Sequence, residues 1–298
     1  MTRGEGEGRL AERVIAITGA GRGIGRSYAL AMAREGAHVI VNDLGTDLEG
    51  RGESAEPAEE VASEIEAAGG SAIASLADVS SEAGAESIVA DARAHFGRLD
   101  ALVNNAAVEF RGSLEEHSAA DFDRVLGVNV RGTFNCVRAA IPLLRERETA
   151  AIVNTTSGAS WEGTEGVAAY SASKAAVLAL TLTQHNELSR HGIRSNCLSP
   201  GATRTRMLDA WLMQASAEQG KDESDIAREY GIQTTENLAP LVVYLCSDAS
   251  RDVSGRAFEV AGDQIIAVSP PTRGAFVRRE SESWTFEEIA KGIAELAS

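Results

Sequence analysis

The chain has 298 residues, 44% of them hydrophobic and 5% aromatic, and a formal net charge of −16 at pH 7. The length fits one large domain or two small ones, and the low aromatic content predicts a core made mainly of aliphatic side chains. The acidic charge argues against a nucleic-acid partner, because phosphate binding needs a basic surface that the sequence lacks.

The cysteines and the start of the chain bear on the compartment. Cys136, Cys197 and Cys246 are odd in number and far apart, without the spacing of a metal site. We therefore expect buried, reduced thiols and no bound metal. Residues 1–12 are rich in glycine and charge, so we expect a disordered or loosely held N-terminus rather than a secretion signal. Because no apolar stretch is long enough to span a bilayer, the sequence predicts a soluble, cytoplasmic protein with no membrane partner.

Short apolar runs alternate along the chain with longer segments of helical periodicity. The short runs predict strands at 14–18, 38–43, 71–76, 101–104, 151–156, 194–198 and 257–260. The segments between them predict helices at 24–35, 57–68, 82–96, 121–147, 168–190 and 236–247. This alternation predicts an α/β fold with a doubly wound parallel sheet, because right-handed crossovers place helices on both faces. We find no linker or internal repeat and expect one domain over residues 13–268.

Two segments lie outside this alternation. Residues 45–56 form a polar stretch rich in glycine and acidic residues, which predicts a surface loop. Residues 269–298 predict an extension with one short helix, because a capping pattern and an apolar stripe coincide at 284–289. Such an extension would dock on its own subunit, reach a neighbour or border the substrate pocket.

The mixed segment 204–233 interrupts the pattern just before the last helix of the sheet. It predicts either a pair of surface helices or a substrate lid, because insertions near strand ends often carry function. As a lid, the segment would bring Met207, Trp211 and Met213 to an apolar substrate.

A glycine-rich turn follows the first predicted strand. Strand 14–18 leads into a run of alternating glycines and then into a helical pattern. A strand, a glycine turn and a helix in this order form a phosphate-binding site, because glycines allow close approach and the helix N-terminus offers free N–H groups. The turn therefore predicts a dinucleotide site that includes Gly19, Arg22, Gly23, Ile24 and Gly25.

Acidic residues follow the second and third predicted strands. Asp43 would accept hydrogen bonds from the adenosine ribose and repel a 2′-phosphate, which predicts NAD rather than NADP. Arg22 and Arg26 act in the opposite sense, since a positive charge favours a phosphate. Alternatively, Asp43 caps the turn that opens the next loop. Asp78 and Val79 would meet the adenine edge or form a helix cap.

A tyrosine and a lysine lie one turn apart in the helix predicted at 168–190. Tyr170 and Lys174 are at positions i and i+4 and share one helix face. A cation beside a phenol lowers the pKa of the phenol, which makes the tyrosine usable as an acid/base. Ser157 follows strand 151–156, where its hydroxyl would stabilise charge on a substrate oxygen. Together, Tyr170, Lys174 and Ser157 predict hydride transfer between a nicotinamide and a carbonyl or secondary alcohol.

The order of these motifs resembles that of the short-chain dehydrogenase/reductase family. The resemblance covers about residues 10–266. Its motifs are the glycine turn up to Gly25, Asn104-Asn105-Ala106, Asn129, Ser157, Tyr170 with Lys174, and Pro200-Gly201. The resemblance implies a single-domain, Rossmann-like sheet of seven strands and an NAD-dependent reaction on CH–OH groups.

The family roles carry over onto the matching residues. The resemblance implies that Tyr170 exchanges the proton, Ser157 polarises the substrate oxygen, and Lys174 tunes the tyrosine and binds the nicotinamide ribose. It implies that Asn129 holds a water molecule between Lys174 and solvent. Further cofactor contacts would come from Asp43, Leu44, Asp78, Val79, Asn105, Ala106, Pro200, Gly201, Thr203 and Thr205.

Two positions depart from the family pattern. Ala107 stands where many relatives have glycine, which would shift the loop slightly and leave cofactor binding possible. Asp263 follows Gly262, where relatives often have a second glycine, and we attach no function to it. The run 41–45 with its acidic loop resembles the (3R)-hydroxyacyl-CoA dehydrogenase region of peroxisomal multifunctional β-oxidation enzymes and bacterial relatives, some of which act on hydroxysteroids.

Substrate and assembly stay open at this stage. A 3-oxoacyl carrier-protein reductase or a small secondary-alcohol dehydrogenase would use the same site as a 3-hydroxyacyl-CoA or hydroxysteroid dehydrogenase. A catalytically silent nucleotide-binding protein would have no need of the four catalytic residues together.

Helices 121–147 and 168–190 are apolar around more of their circumference than one sheet face requires. In the family these helices pair between subunits, so we expect a homodimer or homotetramer.

Overall fold

The computed structural model describes most of the chain. The described residues are 8–269, 274–278 and 285–296. The chain divides into two compact units, residues 1–268 and residues 269–298. The first unit holds the predicted domain, and the second holds the predicted extension.

The described chain begins with a segment that packs on the first unit. Leu10 is fully buried, and its amide donates to the carbonyl oxygen of Glu35 at 2.9 Å. Arg9 forms an ion pair with Glu35 at 2.6 Å. The expectation of a loosely held N-terminus is therefore wrong for residues 8–12, because an apolar side chain there is buried. Residues 1–7 lie outside the described part.

Among the described residues, eight strands form one sheet in the order β3-β2-β1-β4-β5-β6-β7-β8. They are β1 (Val14–Thr18), β2 (His38–Asn42), β3 (Ser71–Ser75), β4 (Ala101–Asn104), β5 (Ala150–Thr155), β6 (Ile193–Pro200), β7 (Ala257–Ala261) and β8 (Gln264–Val268). Strands β1 to β7 pair in parallel, and the strand order reverses between β1 and β4. This confirms the predicted α/β fold and places a ligand crevice at the reversal, where the carboxyl ends of the strands diverge.

The predicted count of seven strands is wrong by one, because β8 continues the sheet as an antiparallel edge strand. A tight turn at Gly262 and Asp263 joins β7 to β8, and Gly262 has a φ of +62°, a conformation that favours glycine. The side chains of β8 are largely exposed, with Ile265 at 62%. Residues 265–268 are apolar in sequence, and the sequence analysis left this run unassigned.

Helices cover both faces of the sheet. They are α1 (Gly23–Arg34), α2 (Glu56–Ala67), α3 (Glu82–Phe96), α4 (Ala119–Leu126), α5 (Thr133–Leu144), α6 (Ala159–Glu162), α7 (Ala168–Leu188), α8 (Arg206–Gln219), α9 (Glu223–Glu229) and α10 (Ala239–Cys246), with α11 (Phe286–Leu296) in the second unit. Helices α1, α2 and α10 share one core with Ile15 and Ile17 of β1, whereas α3 and α5 share another with Val14 and Ala16. Alternate residues of β1 therefore serve the two layers.

The helix predicted at 121–147 is divided in the structure. A π-helical turn at Gly127–Gly132 separates α4 from α5. Asn129 lies in this turn and is buried, with 1% of its surface exposed. Single π-turns within α-helices are frequent at functional sites, because the wider turn redirects side chains and frees backbone groups. The 3.6-residue periodicity runs through the turn and cannot reveal it.

In the second unit, α11 begins with a capping box. The amide of Glu288 donates to Oγ1 of Thr285 at 3.2 Å, and the amide of Thr285 donates to Oε2 of Glu288 at 3.0 Å. Trp284, which the sequence analysis placed in the same segment, lies outside the described residues.

The three cysteines are buried and free. Burial raises the pKa of the Cys136 thiol to about 12 and that of Cys197 to about 11. Within the described ranges, no helix has the length and apolar character needed to cross a bilayer. The same residues contain no group of three His, Cys, Asp or Glu side chains placed to hold a metal ion.

Candidate active site

A cleft of about 410 Å³ lies at the carboxyl edge of the sheet. Most of the predicted site residues line it, namely Gly19, Arg22, Gly23, Ile24, Asp43, Leu44, Asp78, Val79, Asn105, Ala106, Tyr170, Lys174, Pro200 and Thr205. Gly25, Asn129, Ser157, Gly201 and Thr203 are not among the lining residues. The fold thus brings the glycine turn, the acid after β2 and the Tyr-Lys pair to one cavity.

The glycine turn fits a phosphate chain because side chains are absent where the backbone is crowded. Gly19 has a φ of +64°, and a Cβ there would lie 2.8 Å from Cα of Ala106. Gly25 lies behind the turn, where a Cβ would meet the Gly19 carbonyl oxygen at 2.1 Å. Gly25 therefore lets α1 start close under the turn, so that its free N–H groups face the cleft. Thr155 also offers a buried hydroxyl at the cleft, one without a hydrogen-bond partner among the described residues.

Asp43 has the position expected of a ribose acceptor, and it also holds the surrounding backbone. Its Oδ2 accepts from the amide of Gly21 at 2.9 Å, and its Oδ1 accepts from the amide of Gly45 at 2.7 Å. A carboxylate has about four acceptor positions, so two remain for ribose hydroxyls. The alternative reading of Asp43 as a turn cap is therefore compatible with cofactor binding.

Two arginines lie beside Asp43 in the cleft lining. Arg22 donates to the carbonyl oxygen of Thr46 at 3.3 Å, and Arg206 extends from the first turn of α8. Burial and the nearby charge of Arg22 lower the pKa of Arg206, while Asp43 and Asp47 oppose this effect. The charge at this end of the cleft is therefore mixed.

The acid after β3 has a local structural role. Asp78 accepts from the amide and the hydroxyl of Ser80, both at 2.8 Å, which forms an Asx turn before α3. Val79 is buried, and a Cβ on Gly132 of the π-turn would lie 2.9 Å from its Cγ2. The helix cap of α3 is Ser81 rather than Asp78, and the contact of Asp78 and Val79 with adenine stays a prediction that rests on their place in the cleft lining.

The segment 44–54, which we call the crossing loop, reaches from Asp43 to the catalytic end of the cleft. The amide of Ser54 donates to the carbonyl oxygen of Leu44 at 2.9 Å and closes the base of the loop. At its far end, the amide of Glu109 donates to the carbonyl oxygen of Leu48 at 3.0 Å. The predicted surface loop is thus an ordered part of the cleft wall.

Tyr170 and Lys174 meet at the inner end of the cleft, as their spacing predicted. Nζ of Lys174 lies 5.4 Å from the centre of the Tyr170 ring and donates to the carbonyl oxygen of Thr155 at 2.9 Å. The Ser157 side chain lies beside the Tyr170 phenol and acts to lower its pKa. The serine in turn accepts from the amide of Ala159 at 3.3 Å. The three side chains therefore form one polar cluster.

Burial dominates the ionisation of this cluster in the protein alone. It raises the pKa of Tyr170 to about 12, and the charge of Glu109 adds to the rise, while the Ser157 side chain opposes it. It lowers the pKa of Lys174 to about 8. In the protein alone, desolvation therefore outweighs the influences that lower the Tyr170 pKa, and its lowering by Lys174 stays a prediction.

Asn129 braces the cluster from the π-turn. Its Oδ1 accepts from the amide of Val108 at 2.9 Å, and its Nδ2 donates to the Val108 carbonyl at 3.0 Å and to Oγ of Ser173 at 2.9 Å. Both amide protons are thus engaged. The water link to Lys174 stays a prediction, and it would need the second lone pair of Oδ1 or the backbone carbonyl of Asn129.

The segment after β6 forms another part of the cleft wall. A Cβ on Gly201 would lie 2.6 Å from the carbonyl oxygen of Val260, so glycine is required for close contact with β7. Thr203 is buried and donates to the carbonyl oxygen of Gly201 at 3.0 Å. Thr205 lines the cleft opposite Gly23. Gly201 and Thr203 thus support the segment that presents Thr205.

The segment 204–233 contains the helices α8 and α9. Met207 lines the cleft, whereas Trp211 packs edge-on against Tyr230 with ring centres 5.1 Å apart. Met213 is 60% exposed. The packing interpretation therefore holds for Trp211, and the lid stays a prediction that rests on Met207.

Glu109 is a residue of the site that the sequence analysis missed. Its side chain is 9% exposed, forms an ion pair with Arg111, and lies close enough to Tyr170 to raise the pKa of that residue. The sequence contains one indication of this role, because Glu109 is a charged residue directly after the apolar run 106–108, at the carboxyl edge of β4.

The family model described as short chain dehydrogenase matches residues 13–215. The chain belongs to the short chain dehydrogenase family. Its relatives include the peroxisomal multifunctional enzyme type 2 of Mus musculus, 36% identical over 282 residues, with 94% of this chain and 36% of the mouse protein covered. The chain thus spans about a third of that relative. The 3-oxoacyl-acyl-carrier-protein reductase FabG of Staphylococcus aureus is 36% identical over 246 residues, which cover 83% of this chain and 95% of the reductase.

Solved structures agree with this family membership. A short chain dehydrogenase from Mycobacterium avium matches with a TM-score of 0.82 and 35% identity, over 97% of this chain and 96% of that one. A protein from Beutenbergia cavernae with NADP bound at low occupancy matches with a TM-score of 0.74 and 34% identity, over 85% of this chain and 96% of that one. The chain is therefore an oxidoreductase of a family that binds nicotinamide cofactors and acts on CH–OH groups.

Proposed function

We propose that this chain is an NAD(H)-dependent dehydrogenase that interconverts a secondary alcohol and a ketone, with Tyr170 as its acid/base. The observation that carries the proposal is the polar cluster of Tyr170, Ser157 and Lys174 at the inner end of the cleft. These three side chains supply a proton carrier, a hydroxyl for the substrate oxygen and a cation, which alcohol oxidation and carbonyl reduction require.

Each residue of the site has its own role in the proposed reaction. When bound, a nicotinamide dinucleotide supplies the hydride acceptor for oxidation and the hydride donor for reduction. The Tyr170 hydroxyl gives a proton to the substrate oxygen in reduction and takes it back in oxidation. Ser157 donates a hydrogen bond to the same oxygen, and Lys174 places its ammonium beside the phenol. Asn129 fixes Val108 and Ser173 around them.

The preference for NAD rests on Asp43. Its carboxylate lies in the cleft where a ribose would bind, and its negative charge would repel a 2′-phosphate. NADP is the alternative, because Arg22 and Arg206 lie beside this carboxylate and a solved relative has NADP bound. Two hydrogen bonds fix the Asp43 carboxylate in place, which supports NAD as the first choice.

For the substrate, we propose a 3-hydroxyacyl-CoA thioester or a hydroxysteroid. The support is the similarity to the mouse peroxisomal multifunctional enzyme type 2 along 94% of this chain. A 3-oxoacyl carrier-protein substrate is the second candidate, because the reductase of that name is covered over 95% of its length. Tyr170, Ser157 and Lys174 together make a catalytically silent protein the least supported candidate.

Assembly as a homodimer or homotetramer is part of the proposal. Phe134 in α5 is 48% exposed, and Ile265 and Ile266 lie on the exposed edge strand β8, so both surfaces offer apolar area to a second copy. A cytoplasmic location stays a prediction, since the mouse relative is peroxisomal by name.

The proposed function is tested with the full chain and a panel of substrates. We would follow NADH absorbance with 3-hydroxyacyl-CoA thioesters, hydroxysteroids and simple secondary alcohols. Tyr170→Phe should reduce turnover by about 10²–10⁴-fold, because it removes the proton carrier, and should retain NADH binding. Tyr244→Phe is the matched control, since Tyr244 is 39% exposed on α10. Full activity of Tyr170→Phe would refute the assignment.

A further inference from the structure

The loop after β4, residues 108–112, is fixed to α7. Val108 exchanges two hydrogen bonds with the Asn129 side chain, and the same side chain donates to Ser173 in α7 at 2.9 Å. Ser173 in turn donates to the carbonyl oxygen of Tyr170 at 2.7 Å. The first residue of the loop is therefore joined to the catalytic turn of α7 through buried hydrogen bonds.

Two further contacts hold the same loop against the beginning of α7. Phe110 belongs to one apolar cluster with Ala169, the residue before Tyr170. The amide of Gly112 donates to the carbonyl oxygen of Gly166 at 2.9 Å. Since the loop is fixed on both sides of Glu109, that residue is held next to the tyrosine.

Glu109 is a buried acid next to the cluster. Burial raises the pKa of its carboxyl, while the charges of Arg111 and Lys174 oppose the rise and favour the carboxylate. Its side chain is 9% exposed and pairs with Arg111, whose side chain is 54% exposed. Its amide is bound to the carbonyl oxygen of Leu48 in the crossing loop. A buried carboxylate is costly to solvate and is retained where its charge has a partner or a role. Arg111 is the partner, and the neighbouring cluster indicates the role.

The charges that face this cluster come from three elements. Glu109 and Arg111 lie on the loop, Lys174 on α7 and Cys197 on β6. Burial brings the pKa of Lys174 to about 8, and negative charge on Cys197 and then on Glu109 would oppose this fall. Cys197 is neutral over that range, because burial raises the pKa of its thiol to about 11. The same charge of Glu109 raises the pKa of Tyr170, and Arg111 opposes it.

We propose that Glu109 is a positioning residue of this active site, whose fixed negative charge holds Lys174 as an ammonium and Tyr170 as a neutral phenol. The inference rests on the proposed function in assigning those two side chains to the reaction. In this role Glu109 sets the protonation states of Lys174 and Tyr170, which neither the glycine turn nor the Tyr-Lys pair does by itself.

The protein offers a direct measurement, because it contains three lysines, Lys174, Lys221 and Lys291. Lysine labelled with 13C at Cε gives one NMR signal for each, and Lys174→Met identifies the signal of Lys174. A titration of the full chain without substrate or cofactor then follows its ammonium. In Glu109→Gln we expect the Lys174 midpoint to fall by about half a pH unit or more, since a neighbouring negative charge is removed.

Matched variants separate charge from shape. Glu115→Gln removes a carboxylate from an exposed position of the same surface segment and should leave the Lys174 midpoint unchanged. Glu109→Asp keeps the charge and should restore most of the wild-type midpoint. Near-ultraviolet circular dichroism reports whether each variant keeps its tertiary packing. An unchanged Lys174 midpoint in folded Glu109→Gln would overturn the inference, as would a fall of equal size in Glu115→Gln.

The outcome is independent of the proposed function. A fall of the Lys174 midpoint in a protein that turns over no member of the substrate panel would support the role of Glu109 and refute the dehydrogenase assignment. Turnover that depends on Tyr170, together with an unchanged Lys174 midpoint, would support the assignment and refute the role of Glu109.

Discussion

Nδ2 of Asn129 donates to Oγ of Ser173 at 2.9 Å and joins the π-turn to the catalytic helix α7. The same side chain satisfies both the amide and the carbonyl of Val108. The Asn129 side chain therefore supplies the two backbone hydrogen bonds that a neighbouring strand would supply if Val108 were still part of β4. The relationship explains why an amide is buried inside an otherwise apolar helical segment.

Asn129→Leu should lower the free energy of unfolding by about 1–3 kcal/mol, because it leaves the buried amide and carbonyl of Val108 without partners and removes the donor to Ser173. Urea unfolding followed by circular dichroism measures the change. Asn186→Leu is the control, since Asn186 lies exposed on α7 and should cost far less. Equal stability of the two variants would contradict the bracing role of Asn129.

The pH dependence of turnover should differ between the two directions. Desolvation raises the pKa of Tyr170 to about 12, so the phenol carries its proton at neutral pH and can serve as the proton donor of reduction. Oxidation needs the phenolate, whose population rises with pH. We expect kcat/KM for alcohol oxidation to rise by up to about tenfold per pH unit above neutrality. An oxidation rate that is highest below neutral pH would contradict this assignment.

Cofactor preference should depend on the charge of Asp43. In Asp43→Asn the ratio of kcat/KM with NAD to kcat/KM with NADP should fall by about tenfold or more, since repulsion of the 2′-phosphate is lost. Initial rates with each cofactor at equal concentration measure the ratio. Asp252→Asn, at an exposed position after α10, is the control. If the ratio does not change in Asp43→Asn, the preference is set elsewhere, and Arg22 and Arg206 become the residues to test.

Much of the fold could be predicted because β-strands buried on both faces read as continuous apolar runs. The strand β1 and the glycine turn after it were placed correctly, and the i and i+4 spacing of Tyr170 and Lys174 was enough to bring them together. These features depend on local sequence, in which a residue type and its spacing carry the structural information.

Features that depend on distant contacts were missed. The π-turn at Gly127–Gly132 keeps a helical apolar pattern, and its widened turn is stabilised by Val108 and Ser173, which are far away in sequence. The raised pKa of Tyr170 depends on burial and on Glu109, neither of which its own helix reveals. The edge strand β8 was missed although residues 265–268 are apolar, because only the two-residue turn at Gly262 and Asp263 separates them from β7.

The bond between the Leu48 carbonyl and the Glu109 amide has a consequence for protein engineering. The crossing loop begins and closes beside Asp43, where the adenosine would bind. Leu48, in the middle of the loop, contacts the segment that carries Glu109. Inserting residues between 44 and 54, or replacing the segment to accept another nucleotide, would therefore also move the surroundings of the proton carrier. Redesign of the nucleotide preference in this enzyme should keep the backbone length of the crossing loop and change side chains alone.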